Sequence, residues 1–243
     1  MPGTASERRD SARTAVVWEA LGPILDKQSL EPPGLRVLDV GGGTGGFAVR
    51  VAGLGHRVTV VDPSPDALAA LARRAREVGA DVTGLQGDLS DLASLVDDAD
   101  VVLCHGVLEV VDDPAAALAT IHSVLRPGGT VSLLVAQRHA AVIARAMAGH
   151  FPQALELLSG APTGPVGRTG HRFTADEATA LVTAAGFALT SVHGVRVFAD
   201  LVPGSLLDLE PGATAALVEL ERAVATRPEY LPLATQLHLL ASR

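Results

Sequence analysis

The chain has 243 residues, of which 48% are hydrophobic and only 3% aromatic, and this composition predicts one globular unit with a large aliphatic core. Its formal net charge of −8 argues against a protein that holds nucleic acid through a broad basic surface, although a local basic groove stays compatible with it. The single cysteine, Cys104, excludes an intrachain disulfide and a cysteine-rich zinc site. We therefore expect no bound metal. No apolar run is long enough to cross a bilayer, so we also expect no association with a membrane and a cytoplasmic location.

The first half of the chain alternates between strands and helices. Residues 1–10 are small, polar and charged, so we expect a flexible arm, with the domain over residues 11–243 and a leading helix from Ala12 to Leu25. The predicted strands are Leu35–Val40, His56–Val61, Asp81–Leu85, Asp100–Cys104 and Thr130–Val135, the last after a turn at Arg126–Gly129. The predicted helices are Phe47–Leu54, Pro63–Val78, a segment near Leu92, and Ala115–Leu125. This alternation predicts a doubly wound α/β sheet.

The alternation breaks after the fifth strand. Residues 137–172 contain a predicted helix over Ala140–Ala148 followed by Gly- and Pro-rich sequence, which we interpret as a lid insertion. A helix at Ala175–Ala185, a strand at Ala188–Val197, a helix at Pro211–Thr226 and a strand at Leu233–Leu240 complete the chain. The predicted fold is a Rossmann-like mixed sheet of seven strands whose last strand is antiparallel.

A glycine-rich turn, Asp39-Val-Gly41-Gly42-Gly43-Thr44-Gly45-Gly46, follows the first strand and opens a helix, so that the backbone there can approach a ligand closely. The glycine spacing fits both a dinucleotide fingerprint and the acid-then-glycines loop of methyltransferases. Asp39 favours the second, because its carboxylate would repel a pyrophosphate and attract the ammonium and sulfonium of S-adenosylmethionine. The alternative for Asp39 is a cap on the turn that follows.

Two further carboxylates follow the next two strands. Asp62 ends the second strand, where it can accept hydrogen bonds from ribose hydroxyls; an N-cap before Pro63 is the alternative. Asp88 follows the third strand, where it can accept from an adenine amino group while Leu89 packs on the ring; an ordinary turn is the alternative.

Histidine and arginine side chains supply the remaining candidates. His105 ends the fourth strand and is expected to project into the crevice where open α/β sheets bind ligands, although a lone histidine is often structural. Arg196 lies in the predicted sixth strand, and the predicted lid carries further cations. Such a cluster can grip an anionic substrate or form a solvated loop. The lid cations are Arg138, His139, Arg168, His171 and Arg172.

Several motifs together resemble those of class I S-adenosylmethionine-dependent methyltransferases. They are Val37-Leu-Asp39 with the glycine turn, Asp62, Gly87-Asp88, His105-Gly-Val-Leu-Glu109 and Leu125-Arg-Pro-Gly-Gly-Thr130. Four further segments, which extend the likeness over nearly the whole chain, resemble the bacterial tRNA carboxymethoxyuridine carboxyl methyltransferases, which esterify a modified wobble uridine. These are Arg13–Trp18, Ala148–Phe151, Gly194–Asp200 and Arg227–Leu231.

This resemblance implies S-adenosyl-L-methionine as the cofactor, with S-adenosyl-L-homocysteine as its product. It implies that Arg13, Gly41, Gly42, Asp62, Asp88, Leu89 and His105 surround that cofactor, with Arg13 pairing with its methionine carboxylate. Two departures concern the acceptor. Residues 163–167 stand where the family carries a lysine-rich run, and Ala136-Gln137 replaces a Tyr-Asn pair.

The sequence therefore predicts O-methylation of a carboxylate on a modified tRNA wobble uridine. An ionised carboxylate needs no general base but does need a cation, for which Arg196 is the candidate. A small-molecule O- or N-methyltransferase is the first alternative, and a non-catalytic S-adenosylmethionine-binding regulator is the second.

Overall fold

The computed structural model describes residues 5–28, 34–159, 170–207 and 211–243, without the side chains of residues 5–11, 27 and 28. Its strands are β1 Arg36–Val40, β2 Arg57–Asp62, β3 Val82–Gln86, β4 Ala99–His105, β5 Leu125–Ala136, β6 Ala188–Val195 and β7 Gln236–Ser242. They form one sheet in the order β3-β2-β1-β4-β5-β7-β6. The neighbours from β3 to β5 pair in parallel and β7 runs antiparallel, so the predicted fold class is confirmed.

The helices fall between the strands. They are α1 Ala5–Gln28, α2 Ala48–Gly53, α3 Pro65–Val78, α4 Leu92–Leu95, α5 Pro114–Val124, α6 Arg138–Met147, α7 Phe151–Leu158, α8 Ala175–Ala184, α9 Gly204–Leu207 and α10 Ala213–Val224, with a 3-10 turn at Leu231–Leu233. Local sequence sets several ends. In α3, for example, the Ser64 hydroxyl accepts from the amide of Ala67, Pro65 occupies the first turn, and Gly79 closes the helix in the left-handed conformation.

Several predicted elements differ from the structure. The sixth strand ends at Val195, so Arg196 follows it and does not lie within it as predicted. The leading helix starts at Ala5, so residues 5–10, expected in a flexible arm, are helical, while residues 1–4 lie outside the described residues. The helix α7 was not predicted, because Gly149 and Pro152 mark its start as a loop. Residues 160–169, including Arg168 and the departure at 163–167, lie outside the described residues, and a lid role for residues 137–172 stays a prediction.

The predicted turn at Arg126–Gly129 is an irregularity inside β5. Ala99 lies opposite Leu125, whereas Val101 lies opposite Thr130, so the β5 strand bulges by three extra residues at this point. Gly128, with φ of 77°, allows the bulge, and the backbone amide of Gly128 donates to the carbonyl of Arg243 at 2.9 Å. The Pro-Gly-Gly sequence therefore bends one strand and does not begin it.

The chain divides into two units. The turn unit comprises Pro23–Leu134, Ala178–Ser191 and Leu239–Arg243. Its strands β1 and β4 are almost wholly buried, as is expected of parallel strands that are covered on both faces. The helices α2 and α3 pack on β2 and β3. The arginine unit comprises Met1–Gly22, Val135–Glu177 and Val192–His238. Val197, Val224 and Ala234 form a buried cluster there.

Across the described ranges, the structure contains no helix with the length and apolarity needed to span a membrane.

Candidate cofactor and acceptor sites

The glycine turn of the turn unit requires glycine at specific positions. Gly41 has φ of 64°, and its amide donates to the carbonyl of Val61 at 2.8 Å. A Cβ at Gly41 would lie 2.6 Å from a methyl carbon of Val107, so both the conformation and the space demand glycine. A Cβ at Gly42 would lie 2.5 Å from Oδ2 of Asp39. The turn is therefore wrapped closely around the Asp39 carboxylate.

Asp39 lies beneath this turn and is only 3% exposed. Burial raises the pKa of its carboxyl to about 7; a hydrogen bond from the amide of Ala48, at the start of α2, opposes the shift, and nearby Asp62 adds to it. Asp39 is not among the residues that line the neighbouring cavity. The structure thus favours the alternative of a residue that holds the turn and the helix start, and the cofactor contact stays a prediction.

Asp62 lies at the end of β2 and lines the cavity. Its Oδ2 accepts from the amide of Gly43 at 2.9 Å, and its Oδ1 accepts from the amide of Ser64 at 2.8 Å. The helix cap next to it is Ser64, so Asp62 is not the N-cap. Each carboxylate oxygen has a second lone pair, so Asp62 holds the turn and keeps capacity to accept from ligand hydroxyls.

A cavity of about 650 Å³ opens at the carboxyl ends of β1, β2 and β4, at the point where open α/β sheets bind ligands. Gly41, Asp62, Asp88, Leu89 and Gly106 are among its lining residues. Asp88 is exposed, and its Oδ1 accepts from the hydroxyl and the amide of Ser90 at 2.6 and 2.7 Å. The bond from the hydroxyl, which has the larger effect, and the bond from the amide lower the pKa of Asp88 below its usual range. The mouth of the cavity therefore carries a negative charge at neutral pH.

The ring of His105, which was expected to project into the crevice, is held by two neighbouring side chains, and its contact with the cofactor stays a prediction. The Nε2 atom lies 2.8 Å from the hydroxyl of Ser132 on β5, and the ring packs edge-on against Phe47 with centroids 4.6 Å apart. Burial lowers the pKa of His105 to about 4, so the imidazole is neutral at physiological pH. The neighbouring Gly106, not His105, is among the lining residues.

The two arginines proposed for ligand carboxylates meet at one side chain of the arginine unit. A terminal nitrogen of Arg13 lies 3.2 Å from Oδ1 of Asp200, and one of Arg196 lies 2.5 Å from Oδ2. Arg196 also donates to Oε1 of Gln236 at 3.3 Å. Asp200 was not singled out from the sequence, although it ends the Gly194–Asp200 segment. Two guanidinium groups therefore share one carboxylate.

The backbone that follows Arg196 is held by hydrogen bonds from two other parts of the unit. Arg196 has φ of 62°, a left-handed conformation that costs a non-glycine residue about 1 kcal/mol or more. Its carbonyl accepts from the hydroxyl of Thr235 at 3.1 Å. The next three residues, 197–199, donate their amides to the buried carboxylate of Glu221, which the sequence analysis did not identify.

A second cavity, of about 470 Å³, lies within the arginine unit. Its walls are mostly apolar, from α6 and from Val197, Phe198, Leu201 and Leu233. The polar residues that line it are Gln137, Arg145, Arg172, Asp200 and Thr235. Gln137 is buried; its side-chain oxygen caps α6 at Ala140 and its amide nitrogen donates to the carbonyl of Leu231.

The predicted lid cations divide into different roles. Arg138 is bound to Glu177 at 2.8 Å and donates to the carbonyl of Arg172 at 3.1 Å, so it serves structure. Arg172 lines the second cavity, together with Arg145, which the sequence analysis did not single out. Within the described parts of the chain, no three His, Cys, Asp or Glu side chains converge on a possible metal position.

The chain is similar in sequence to known methyltransferases. Residues 38–133 match the family model of a methyltransferase domain. The chain is 32% identical to the tRNA 5-carboxymethoxyuridine methyltransferase of Escherichia coli K12 over 236 residues, which cover 95% of this chain and 88% of that protein. The ubiquinone biosynthesis O-methyltransferase of Xanthomonas axonopodis pv. citri is 37% identical, but over only 49% of this chain and 51% of that protein.

Solved structures share the fold. An S-adenosylmethionine-dependent methyltransferase from Mesorhizobium loti superposes with a TM-score of 0.61 at 23% identity, covering 97% of this chain and 100% of that one. The magnesium protoporphyrin IX methyltransferase of Synechocystis, solved with bound SAH, superposes with a TM-score of 0.60 at 18% identity, covering 97% and 83%.

Proposed function

Because this chain belongs to the S-adenosylmethionine-dependent methyltransferases, in the family that includes the E. coli tRNA 5-carboxymethoxyuridine enzyme, we propose that it esterifies the carboxylate of that modified wobble uridine. The whole-length likeness to that relative carries the proposal. The methyltransferase domain match ends at residue 133, whereas this likeness continues through the arginine unit, which contains Arg196. A tRNA acceptor would also place the protein in the cytoplasm.

The first cavity fits the cofactor by its chemistry. Its volume falls in the range of ordinary cofactor sites, Gly41 leaves room that a side chain would fill, and Asp62 and Asp88 present acceptor oxygens for hydroxyl and amino groups. When bound, S-adenosylmethionine supplies an activated methyl group on a sulfonium sulfur. We assign the ribose hydroxyls to Asp62 and the adenine to Asp88 and Leu89. For the methionine carboxylate, the family resemblance implies Arg13.

Arg196 is our candidate for holding the acceptor. Its side chain is 25% exposed, and its guanidinium can present paired donors to a carboxylate. Because an ionised carboxylate is already nucleophilic, the protein needs no base to deprotonate it. This agrees with His105, whose lowered pKa makes it a weak base and whose Nε2 lies against the hydroxyl of Ser132. Catalysis then consists mainly of holding the acceptor oxygen in the reacting position.

The second cavity supports an anionic, partly apolar acceptor. Its apolar wall suits the face of a base, while Arg145 and Arg172 add positive charge in a protein whose net charge is −8. Binding through so few cations predicts a tRNA affinity that falls with salt but with a modest slope.

The deciding experiment uses tRNA from an E. coli strain without its own 5-carboxymethoxyuridine methyltransferase. The purified protein and S-adenosylmethionine are added, and the nucleosides are analysed by mass spectrometry. We expect conversion of the free acid to its methyl ester, with no methylation of an unmodified transcript of the same tRNA. Absence of the ester would overturn the proposal, and methylation of a small metabolite from cell extract would instead support the small-molecule alternative.

A further inference from the structure

The side chain of Glu221, on α10, is a buried carboxylate with no part in the chemistry described above. It is fully shielded from solvent, yet both of its oxygens are satisfied by backbone amides. Oε2 accepts from Val197 at 3.0 Å, and Oε1 accepts from Phe198 and Ala199 at 2.8 and 2.7 Å. A buried carboxylate is stable only with such partners, because removal from water carries a large penalty.

The three amides belong to the residues that directly follow Arg196. They are joined on the other side by Thr235, whose hydroxyl and amide donate to the carbonyl of Arg196 at 3.1 and 3.4 Å. The carbonyl of Arg196 and the amide of Val197 belong to one peptide unit, so these bonds hold the peptide that follows Arg196. On the preceding side, the amide of Gly194 donates to the carbonyl of Ala225 at 2.6 Å. The left-handed φ of Arg196 therefore lies between two held stretches of backbone.

The carboxylate at position 221 meets a need that its apolar surroundings cannot. Val197, Val224 and Ala234 form an apolar cluster in this region, and an apolar side chain at 221 would leave the amides of residues 197–199 without their acceptor. What an apolar residue cannot do is hold three successive amides. The carboxylate therefore contributes to the precision of the segment that carries Arg196 and Asp200.

We propose that Glu221 is a positioning residue that fixes Arg196 for the acceptor carboxylate. The proposal rests on the proposed function, because it takes Arg196 as the acceptor's cation. Glu221 touches neither reactant. It acts through the backbone of residues 197–199, and through that backbone it also sets the Arg196–Asp200 ion pair.

The test is a double-mutant cycle on methyl transfer to tRNA. Glu221→Gln keeps the size of the side chain but loses one acceptor oxygen and the charge. We expect it to lower kcat/KM about tenfold in the natural background and by less than about twofold in an Arg196→Ala background, with S-adenosylmethionine affinity unchanged in both. Equal losses in the two backgrounds would show that Glu221 only supports the fold, and would overturn the proposal.

Glu219→Gln is the matched control, since Glu219 lies on the same helix but is exposed and pairs with Arg222. Glu221→Asp, which keeps the charge and shortens the side chain by one methylene, is taken through the same cycle. If the glutamine variant does not fold, the aspartate variant decides the outcome by the same criterion.

A second readout needs no acceptor. Phenylglyoxal modifies arginine guanidinium groups, and its rate at Arg196 is measured by peptide mass spectrometry. We expect a severalfold faster rate in Glu221→Gln and Glu221→Asp than in Glu219→Gln, because the pairing with Asp200 loosens. An unchanged rate in both Glu221 variants contradicts the positioning role. Failure of the natural protein to methylate tRNA contradicts only the proposed function.

Discussion

Asp62 in the turn unit and Glu221 in the arginine unit both hold a stretch of backbone in place, but the two stretches differ in their sequence. Each is a buried carboxylate whose two oxygens accept backbone amides beside a site. Asp62 holds a turn whose shape glycines already favour, with Gly43 at φ of 55°. Glu221 holds a segment in which a non-glycine residue, Arg196, adopts the left-handed conformation. The cofactor side is thus shaped mainly by local sequence, and the proposed acceptor side by a contact between distant residues.

The largest effect is expected at the glycine turn. In Gly41→Ala, the positive φ and the 2.6 Å approach to Val107 together cost about 3 kcal/mol, so we expect S-adenosylmethionine affinity to fall about a hundredfold. Isothermal titration calorimetry measures the change. Gly46→Ala is the control, because nothing lies within 4 Å of its added Cβ. Equal affinities in the two variants would mean that the shape of the turn does not hold the cofactor.

The next effect separates the two sites. Arg196→Ala would remove the proposed charge-assisted contact with the acceptor, and we expect kcat/KM for tRNA to fall about thirtyfold. Cofactor affinity should not change. Arg222→Ala, which removes an exposed arginine paired with Glu19 and Glu219, should leave turnover intact. If Arg196→Ala instead lowered S-adenosylmethionine affinity and left kcat/KM for tRNA unchanged, Arg196 would belong to the cofactor site and not to the acceptor site.

A smaller effect is expected at Asp62. An asparagine there has one acceptor oxygen and must lose the amide of either Gly43 or Ser64, so we expect cofactor affinity to fall about tenfold. Calorimetry again gives the value, with the exposed Asp66→Asn on α3 as the control. A result in which both variants match the natural protein would remove Asp62 from the site.

The smallest effect concerns Asp39. Because burial raises the pKa of its carboxyl from 3.8 to about 7, the folded protein binds a proton that the unfolded chain releases between those values. This contribution to stability is fully present below pH 3.8 and is lost as the pH rises through 7, by about 1.4 kcal/mol between pH 6 and pH 8. We expect Asp39→Asn to lose that part of the pH dependence in urea denaturation without cofactor. Parallel profiles for the two proteins would refute the elevated pKa.

The sequence predicted the elements that local patterns determine. The alternation of aliphatic strands and capped helices identified the sheet, and the glycines after β1 located the turn, since each signal lies within a few residues of the feature it describes. Asp39 shows what local sequence leaves open. The sequence allowed a ligand contact or a cap on the turn, and the packing of the carboxylate against Gly42 and Ala48 under the turn is visible only in the structure.

The arginine unit was harder to predict because its organisation is non-local. Nothing near Glu221 in the chain distinguishes it from the exposed Glu219, although the first is buried under residues 197–199. The meeting of Arg13 with Asp200 likewise joins residues far apart in sequence. The Gly194–Asp200 segment does carry two charged residues, Arg196 and Asp200. The spacing of residues in the sequence does not show that Arg13 also pairs with Asp200.

The carboxylate of Glu221 accepts hydrogen bonds from the main-chain amides of residues 197–199. These bonds do not depend on which side chains those residues carry. A substitution of Phe198 can alter the wall of the second cavity, which Phe198 lines, while its amide still donates to Glu221. The segment is therefore a suitable place for divergence or for engineering, where a methyltransferase can exchange one acceptor for another without rebuilding the scaffold that carries its arginine.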